Sequence, residues 1–258
     1  MPRVLALDFD GVISDSLLEA YLITRRIAGD FDPDLAPENS KYLPTLDSIR
    51  SFRYSNPEHW KSFAALVPFS NRCEDYLLCQ MAAHQSRRIT SQEQFNTFAR
   101  RLTREEIDSF HDAFYAERYR LAGLDREKWL SLNSCYPGVP EVLRKLAGRF
   151  TLAVVTSKDR RSVGILLKHY GVAEIFDNVL DKSMGASKRA HLTELSERCG
   201  IPYENITFID DKVAHLIDCA PLGIHPLLAG WGYNSDQERE LACKHSIKVL
   251  ELEELAFI

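Results

Sequence analysis

The sequence of 258 residues has no apolar run long enough to span a bilayer, no CxxC pair and no excess of basic residues. The first absence excludes an integral membrane helix, which needs about 20 apolar residues. The N-terminal Met-Pro-Arg is followed by only four apolar residues before Asp8, too few for the core of a signal peptide, so a cytoplasmic protein is expected. Six cysteines, Cys73, Cys79, Cys135, Cys199, Cys219 and Cys243, are too sparse and too irregularly spaced for a disulfide framework or a zinc motif, and are expected to be buried thiols. A formal charge of −5 argues against a nucleic-acid binder, whose affinity would come from a basic face, and favours small-molecule partners over nucleic acid or membrane. The eight histidines show no HExxH pattern. Neither an internal repeat nor a low-complexity tract is visible. Asp30-x-Asp32-x-Asp34 lacks the glycine and terminal glutamate of a calcium loop, since Leu35 and Lys41 occupy those places. The doublets Arg25-Arg26, Arg87-Arg88 and Arg100-Arg101 read as solvated helix faces.

What is present is a recurring pattern of short apolar runs that stop at polar residues. Val4 to Leu7 ends at Asp8-Phe9-Asp10-Gly11, Thr151 to Val155 at Thr156-Ser157, Ile206 to Ile209 at Asp210-Asp211, and Pro226 to Ala229 at Gly230. Phe176 to Leu180 and Ile247 to Leu250 are weaker examples. Runs of this kind are strands buried on both faces, as in a parallel sheet. Helix-period segments lie between them at Val139 to Leu146, Arg161 to Tyr170, Lys188 to Cys199, Lys212 to Leu222 and Asp236 to His245. Such alternation predicts an α/β core: an open parallel sheet with helices on both faces.

Residues 15–136 break the rhythm. They hold helical segments at Leu17 to Ile27, Trp60 to Leu66, Glu74 to Gln85, Ser91 to Leu102 and Glu105 to Tyr119, and almost no strand-like runs. The expected organisation is a core of residues 1–14 and 137–258 with an all-helical insertion of residues 15–136 after the first strand. Gly11 to Ser14 and Cys135 to Gly138 have the turn chemistry of hinges. The stretch Phe31 to Pro57, rich in Pro, Asp, Asn and Ser, reads as loop.

In an open parallel sheet ligands bind beyond the carboxyl ends of the strands. Reading off the residues there gives Asp8, Asp10, Asp210 and Asp211, the hydroxyls of Thr156 and Ser157, and Lys188 at the start of a helix. Carboxylates crowded together raise one another's pKa unless a cation neutralises them. Mg²⁺, which takes one or two carboxylates, waters and substrate phosphate, is the natural solution and implies an anionic substrate. Lys188 and Arg189 have the wrong sign for a helix N-terminus, a penalty that a bound phosphate would reverse.

On Asp8-Phe9-Asp10-Gly11-Val12, Thr156 in Val154 to Lys158, Lys188 and Phe208-Ile209-Asp210-Asp211, the sequence resembles the haloacid dehalogenase-like hydrolase superfamily, in its phosphatase (phosphoglycolate phosphatase-like) branch with a helical cap of the C1 type. Gly223 and Trp231-Gly232-Tyr233 also fall where that branch has similar residues. The resemblance implies a Rossmann-like core, with Asp8 as nucleophile and Asp10 as general acid/base. Thr156, Ser157 and Lys188 would bind phosphate. Mg²⁺ would be held by Asp8, Asp10 through its backbone carbonyl, Asp211 and Asp210, the last of which could instead orient Lys188. His215 stands where many relatives have a further acid. The reaction implied is hydrolysis of a small phosphorylated metabolite through an aspartyl-phosphate. The first loop of the cap would carry specificity, with Lys41, Arg50 and Arg53 as candidates for a second anionic group. A phosphomutase or other phosphotransferase uses the same motifs, and a non-catalytic binding protein on the same core is the reading from outside enzymology. A dehalogenase would need neither metal nor an acid at position 10, and a phosphonatase would call for a cap lysine and a non-acid there.

Overall fold

The computed structural model describes residues 3–37, 42–185 and 187–258. The chain enters through β1 (Val4–Leu7), turns, and forms the short strand β2 (Ser14–Asp15). Among the described residues seven α-helices follow: α1 (Leu17–Ile27), α2 (Ile49–Ser55), α3 (Pro57–Leu66), α4 (Asp75–His84), α5 (Gln92–Ala99), α6 (Arg104–Leu124) and α7 (Arg126–Leu130). Strand β3 (Ser134–Cys135) then pairs antiparallel with β2. The rest alternates: α8 (Val139–Leu146), β4 (Thr151–Val155), α9 (Arg160–His169), β5 (Phe176–Leu180), α10 (Lys188–Cys199), β6 (Ile206–Asp210), α11 (Val213–Cys219), β7 (His225–Ala229), α12 (Asp236–Lys244) and β8 (Lys248–Leu250).

Among the described residues one parallel sheet has the order β5-β4-β1-β6-β7-β8. Every residue of β1 is buried, as a central strand covered on both faces must be. Its neighbours are in register on either side, Leu7 facing Val154 of β4 and Ile209 of β6. The chain adds β4 and β5 on one side of β1, then returns to add β6, β7 and β8 on the other. Strand order therefore reverses at β1, which is where an open α/β sheet leaves a crevice beyond its carboxyl ends. The helices supply the covering layers with apolar stripes at helical spacing, as in α8, where Val139, Leu143 and Leu146 are buried. One cluster, including Ala6, Val155, Leu180, Leu192, Phe208 and Leu216, ties β1, β4, β5 and β6 to α10 and α11.

The chain divides into two compact units, residues 1–15 with 134–258, and residues 16–133. The second is helical and has its own core. Tyr21 packs edge-on against Trp60 and Phe63, at 5.1 and 5.0 Å between ring centroids, and Phe110 lies against Phe114. A buried ion pair sits within it: Arg118 donates to both oxygens of Glu19, at 2.8 and 3.0 Å, and the Trp129 indole N–H donates to Glu19 as well. Three donors on one carboxylate satisfy what would otherwise be a costly buried charge.

Three readings of the sequence need correction. The stretch Phe31 to Pro57 is not all loop, because α2 spans Ile49–Ser55 and buries Ile49. The two connecting segments are built as a hydrogen-bonded turn and a two-stranded ribbon, which is no departure from the sequence reading: the amides of Ile13 and Ser14 donate to the Phe9 carbonyl, and Tyr136 N–H donates to Ile13. Of the six thiols only Cys79 and Cys219 are buried, while Cys243 is exposed. Of the doublet Arg25-Arg26, neither is a solvated residue; both are half-buried, and Arg26 pairs with Glu117 and donates to the Pro44 carbonyl.

Candidate active site

Asp8 is the first residue beyond β1, and its backbone N–H extends the ladder by donating to the Ile209 carbonyl at 2.9 Å. That register places its side chain beside the end of β6. Asp8, Asp210 and Asp211 are all buried, and each offers an oxygen within 4.8 Å of the others. Lys188, at the start of α10, reaches into this group. Its ammonium lies 2.7 Å from Asp8 Oδ1 and 3.4 Å from Asp210 Oδ2, and it donates to the Val155 carbonyl at 2.7 Å.

Lys188 serves two of the three buried carboxylates, and burial sets the direction for Asp8 and Asp211. Burial pushes the Asp8 carboxyl above its usual range, against the pull of Lys188. Asp211 is pushed up to about 7 by burial, which outweighs nearby Lys212, with Asp210 and Asp8 adding to the rise. Asp210 is the exception. Burial acts to raise it, yet Lys188, His215 and the Lys212 backbone N–H together hold it well below the usual carboxylate range. His215 Nδ1 lies 3.2 and 3.1 Å from its two oxygens, and the Lys212 amide donates to Oδ1 at 2.8 Å. Burial would neutralise Lys188, but Asp8 and Asp210 more than offset this and keep it an ammonium.

The donor set fits a hard divalent cation. Oxygen ligands from two carboxylates, buried yet short of positive charge, are what Mg²⁺ takes when it shares a site with phosphate. The backbone around Asp211 is shaped to hold that carboxylate in one place. Gly11, at φ +86°, lies so near that a Cβ there would stand 2.3 Å from Asp211 Oδ2. A Cβ on Gly232 would meet Asp211 Cβ at 2.3 Å. Tyr233 N–H donates to Asp211 Oδ2 at 2.8 Å, fixing the side chain from the other side.

Thr156 follows β4 and its N–H donates to Leu180 of β5 at 2.9 Å. Its hydroxyl oxygen accepts the Lys158 N–H at 3.1 Å, so its own proton remains available to a ligand oxygen. Ser157 is the next residue and half-buried. Asp10 is partly exposed and faces Lys158, whose ammonium lies 3.0 Å from Oδ1 and 3.3 Å from Oδ2. Lys158 itself is buried and packs over the Phe9 ring. Sequence reasoning passed over Lys158, although its position two residues beyond the strand-end Thr156 was the available signal. It also passed over the part played by the Tyr233 backbone and by His215, which grips Asp210 where a further acid was sought.

The structure thus brings together Asp8, Asp210, Asp211 and Lys188, with Asp10 and Thr156 joined through Lys158. The specificity candidates belong to the helical unit. Arg50 donates to the Ser131 carbonyl, Arg53 lies over the rings of Tyr54 and Trp60, and Lys41 lies outside the described residues.

Comparison with known proteins gives three findings. A family model described as haloacid dehalogenase-like hydrolase matches residues 2–217. Among curated proteins, a phosphoglycolate phosphatase of Psychrobacter arcticus is 28% identical over 141 residues, covering 53% of this chain and 58% of that protein. Magnesium-dependent phosphatase 1 of Homo sapiens is 30% identical over 91 residues, covering 34% of this chain and 51% of its own length. The chain thus spans about half the length of these curated relatives. Among solved structures, a haloacid dehalogenase-like family hydrolase of Streptococcus pneumoniae matches with a TM-score of 0.60 at 16% identity, over 99% of this chain and 98% of that one, a likeness of fold.

Proposed function

This chain belongs to the haloacid dehalogenase-like hydrolase family, and from that premise we propose that it is a Mg²⁺-dependent phosphatase acting on a small phosphorylated metabolite through a phosphorylated Asp8. The observation that carries the reading is the buried trio Asp8, Asp210 and Asp211 with Lys188 2.7 Å from Asp8. Hydrolysis of a phosphate monoester needs a nucleophile, a proton donor and concentrated positive charge for the transferring group, and these residues can supply all three.

Asp8 is the nucleophile. It stands at the mouth of the central strand, its Oδ1 accepting the Phe9 N–H at 2.7 Å and the Lys188 ammonium, which leaves Oδ2 to attack phosphorus. Asp10 protonates the leaving oxygen and then takes a proton from the water that hydrolyses the aspartyl-phosphate, work of a kind worth roughly 10²–10⁴ in rate. Lys158 holds Asp10 in place for both steps. Lys188, the Thr156 hydroxyl and Ser157 bind the phosphoryl oxygens. Mg²⁺ bound by Asp8, the Asp10 carbonyl and Asp211 would supply charge stabilisation for those oxygens. Asp210, whose oxygens are engaged by Lys188, His215 and the Lys212 amide, positions the lysine. The helical unit, inserted between β1 and the remainder of the core, serves as the substrate-selecting cap.

A screen of phosphorylated metabolites for Mg²⁺-dependent release of inorganic phosphate tests the proposal. Wild type should release phosphate from at least one compound, with EDTA and Asp8→Asn each abolishing the release. Equal release by wild type and Asp8→Asn, or indifference to EDTA, would sink it.

A further inference from the structure

Cys73, Glu74 and His111 bring a sulfur, an oxygen and a nitrogen together within the helical unit. One ligand atom from each lies within 4.8 Å of the others. The Cys73 thiol donates to Glu74 Oε2 at 3.4 Å, Glu74 Oε1 lies 2.9 Å from His111 Nδ1, and Cys73 Sγ lies 3.8 Å from the same nitrogen. No spacing motif announces the trio, because 38 residues separate Cys73 from His111 and the helices must pack before they meet.

The elements around them hold these atoms in place. Cys73 and Glu74 immediately precede α4, in a turn tied down by Asp75, whose Oδ2 accepts the Asn71 and Arg72 N–H groups at 2.7 and 3.2 Å. The Cys73 carbonyl accepts the Tyr76 N–H at 3.1 Å. His111 lies in the interior of α6, and its ring packs against Tyr115 one turn on, with 4.8 Å between centroids. Ligands carried on helices and their first turns are better fixed than ligands on loops. The side chains of Glu74 and His111 are 13% and 32% exposed, so the group is partly withdrawn from water and still reachable. A cavity of about 230 Å³, lined by Glu74, Asp75, Leu78 and Leu102 among others, gives solvent a path to the carboxylate.

We propose that Cys73, Glu74 and His111 form a zinc site, with water in the fourth position. Zn–S bonds of about 2.3 Å and Zn–N and Zn–O bonds of about 2.0 Å, set at tetrahedral angles, put sulfur about 3.5 Å from either lighter atom and nitrogen about 3.3 Å from oxygen. The three separations in the structure fall within about 0.4 Å of those edges. Glu74 turns one oxygen to each partner, so it can bind through either. Thiolate and imidazole ligands suit Zn²⁺, whereas Mg²⁺ takes oxygen alone. This site and the Asp8, Asp210, Asp211 set therefore select different ions. Binding sends the Cys73 thiol proton to solvent and leaves the imidazole proton on Nε2. The thiolate and the carboxylate then carry two negative charges against the two positive charges of the ion. Zinc so held clamps the turn before α4 to α6, and it does so independently of the hydrolytic reading.

Co²⁺, which accepts the same tetrahedral ligands and absorbs strongly when a thiolate binds it, probes the site in the full chain after EDTA treatment and removal of the chelator. Oxygen ligation at Asp8, Asp210 and Asp211 gives no thiolate absorption, so the readout does not register that set. Titration should give thiolate-to-cobalt charge-transfer absorption that saturates at one ion per chain, and Zn²⁺ should abolish it. Cys73→Ser and His111→Gln should each remove the absorption. Each should also weaken Zn²⁺ binding about 100-fold or more in competition with a chelating dye, since losing a partner outside the ligand shell already costs about 10- to 100-fold. Cys243→Ser, which alters an exposed thiol, should leave both readouts unchanged. Zn²⁺ should raise the melting temperature of wild type and leave that of Cys73→Ser where it stands in EDTA. Should a variant fail to fold, the wild-type His111 ring resonances carry the test, because Zn²⁺ must shift them. Unmoved His111 signals, wild type without thiolate absorption, or absorption that persists in Cys73→Ser or His111→Gln overturns the proposal, whether or not the protein releases phosphate.

Discussion

At Lys188 two demands meet, one structural and one chemical. Its ammonium is the counter-charge for Asp8 and Asp210 in a fully buried setting. Removing one partner of a buried pair costs about 3–5 kcal/mol because the remaining charges are left uncompensated. Lys188→Met should therefore lower the denaturant midpoint substantially as well as abolish phosphate release, and a variant as stable as wild type would show that the carboxylates do not depend on it. Gly232 makes a sharper demand on space. Gly232→Ala sets a methyl group against Asp211 Cβ and the Gly11 carbonyl, at 2.3 and 2.4 Å. The expected result is a raised Mg²⁺ requirement, read as the concentration for half-maximal phosphate release, and an unchanged requirement would count against Asp211 as a ligand. At this scale Asp8, Asp10 and the Asp210-Asp211 pair were legible because an apolar run stops at each. Lys158 was not, since a lysine just past a strand end is ordinarily solvated. Only the folded arrangement brings its ammonium 3.0 Å from Asp10, 148 residues away in sequence.

Among the elements, legibility followed burial. The sheet strands are continuous apolar runs because both their faces are covered, and the runs ended where the strands do, to within a residue or so. Helix α2 escaped notice because it is seven residues long in a segment rich in turn formers, and the burial of Ile49 is not a periodic signal. Strands β2 and β3, two residues each, are too short to have a period. Helix α6 announces its start: Thr103 accepts the Glu106 N–H while Glu106 accepts the Thr103 N–H, a reciprocal cap. Thr103→Ala should cost about 1 kcal/mol of stability, measured by chemical denaturation, and no change would mean that the end of α6 frays without consequence.

The helical unit also carries a pH signature. His59 titrates near its ordinary 6.5 when unfolded and at about 4 when folded. Between those values the unfolded chain takes up a proton that the folded chain refuses. Its contribution is thus fully present above pH 6.5 and is lost as pH falls toward 4, by about 2 kcal/mol after allowance for its partial exposure. His59→Gln should flatten that part of the stability profile, and an identical profile would remove His59 from the account.

For the whole molecule, the topology determines which residues meet. Because strand order reverses at β1, Asp8 lies between the ends of β4 and β6, and residues near positions 8, 156, 188 and 210 converge without any being close in sequence. That convergence was legible once the alternation of strand and helix implied a parallel sheet.

The most direct test of the central claim is to look for the phosphoryl group on Asp8. Acid quenching of the wild type during turnover with Mg²⁺, followed by proteolysis and mass spectrometry, should find one added phosphoryl on the peptide that contains Asp8. A phosphoryl group on another residue, or turnover that persists in Asp8→Asn, would contradict the account.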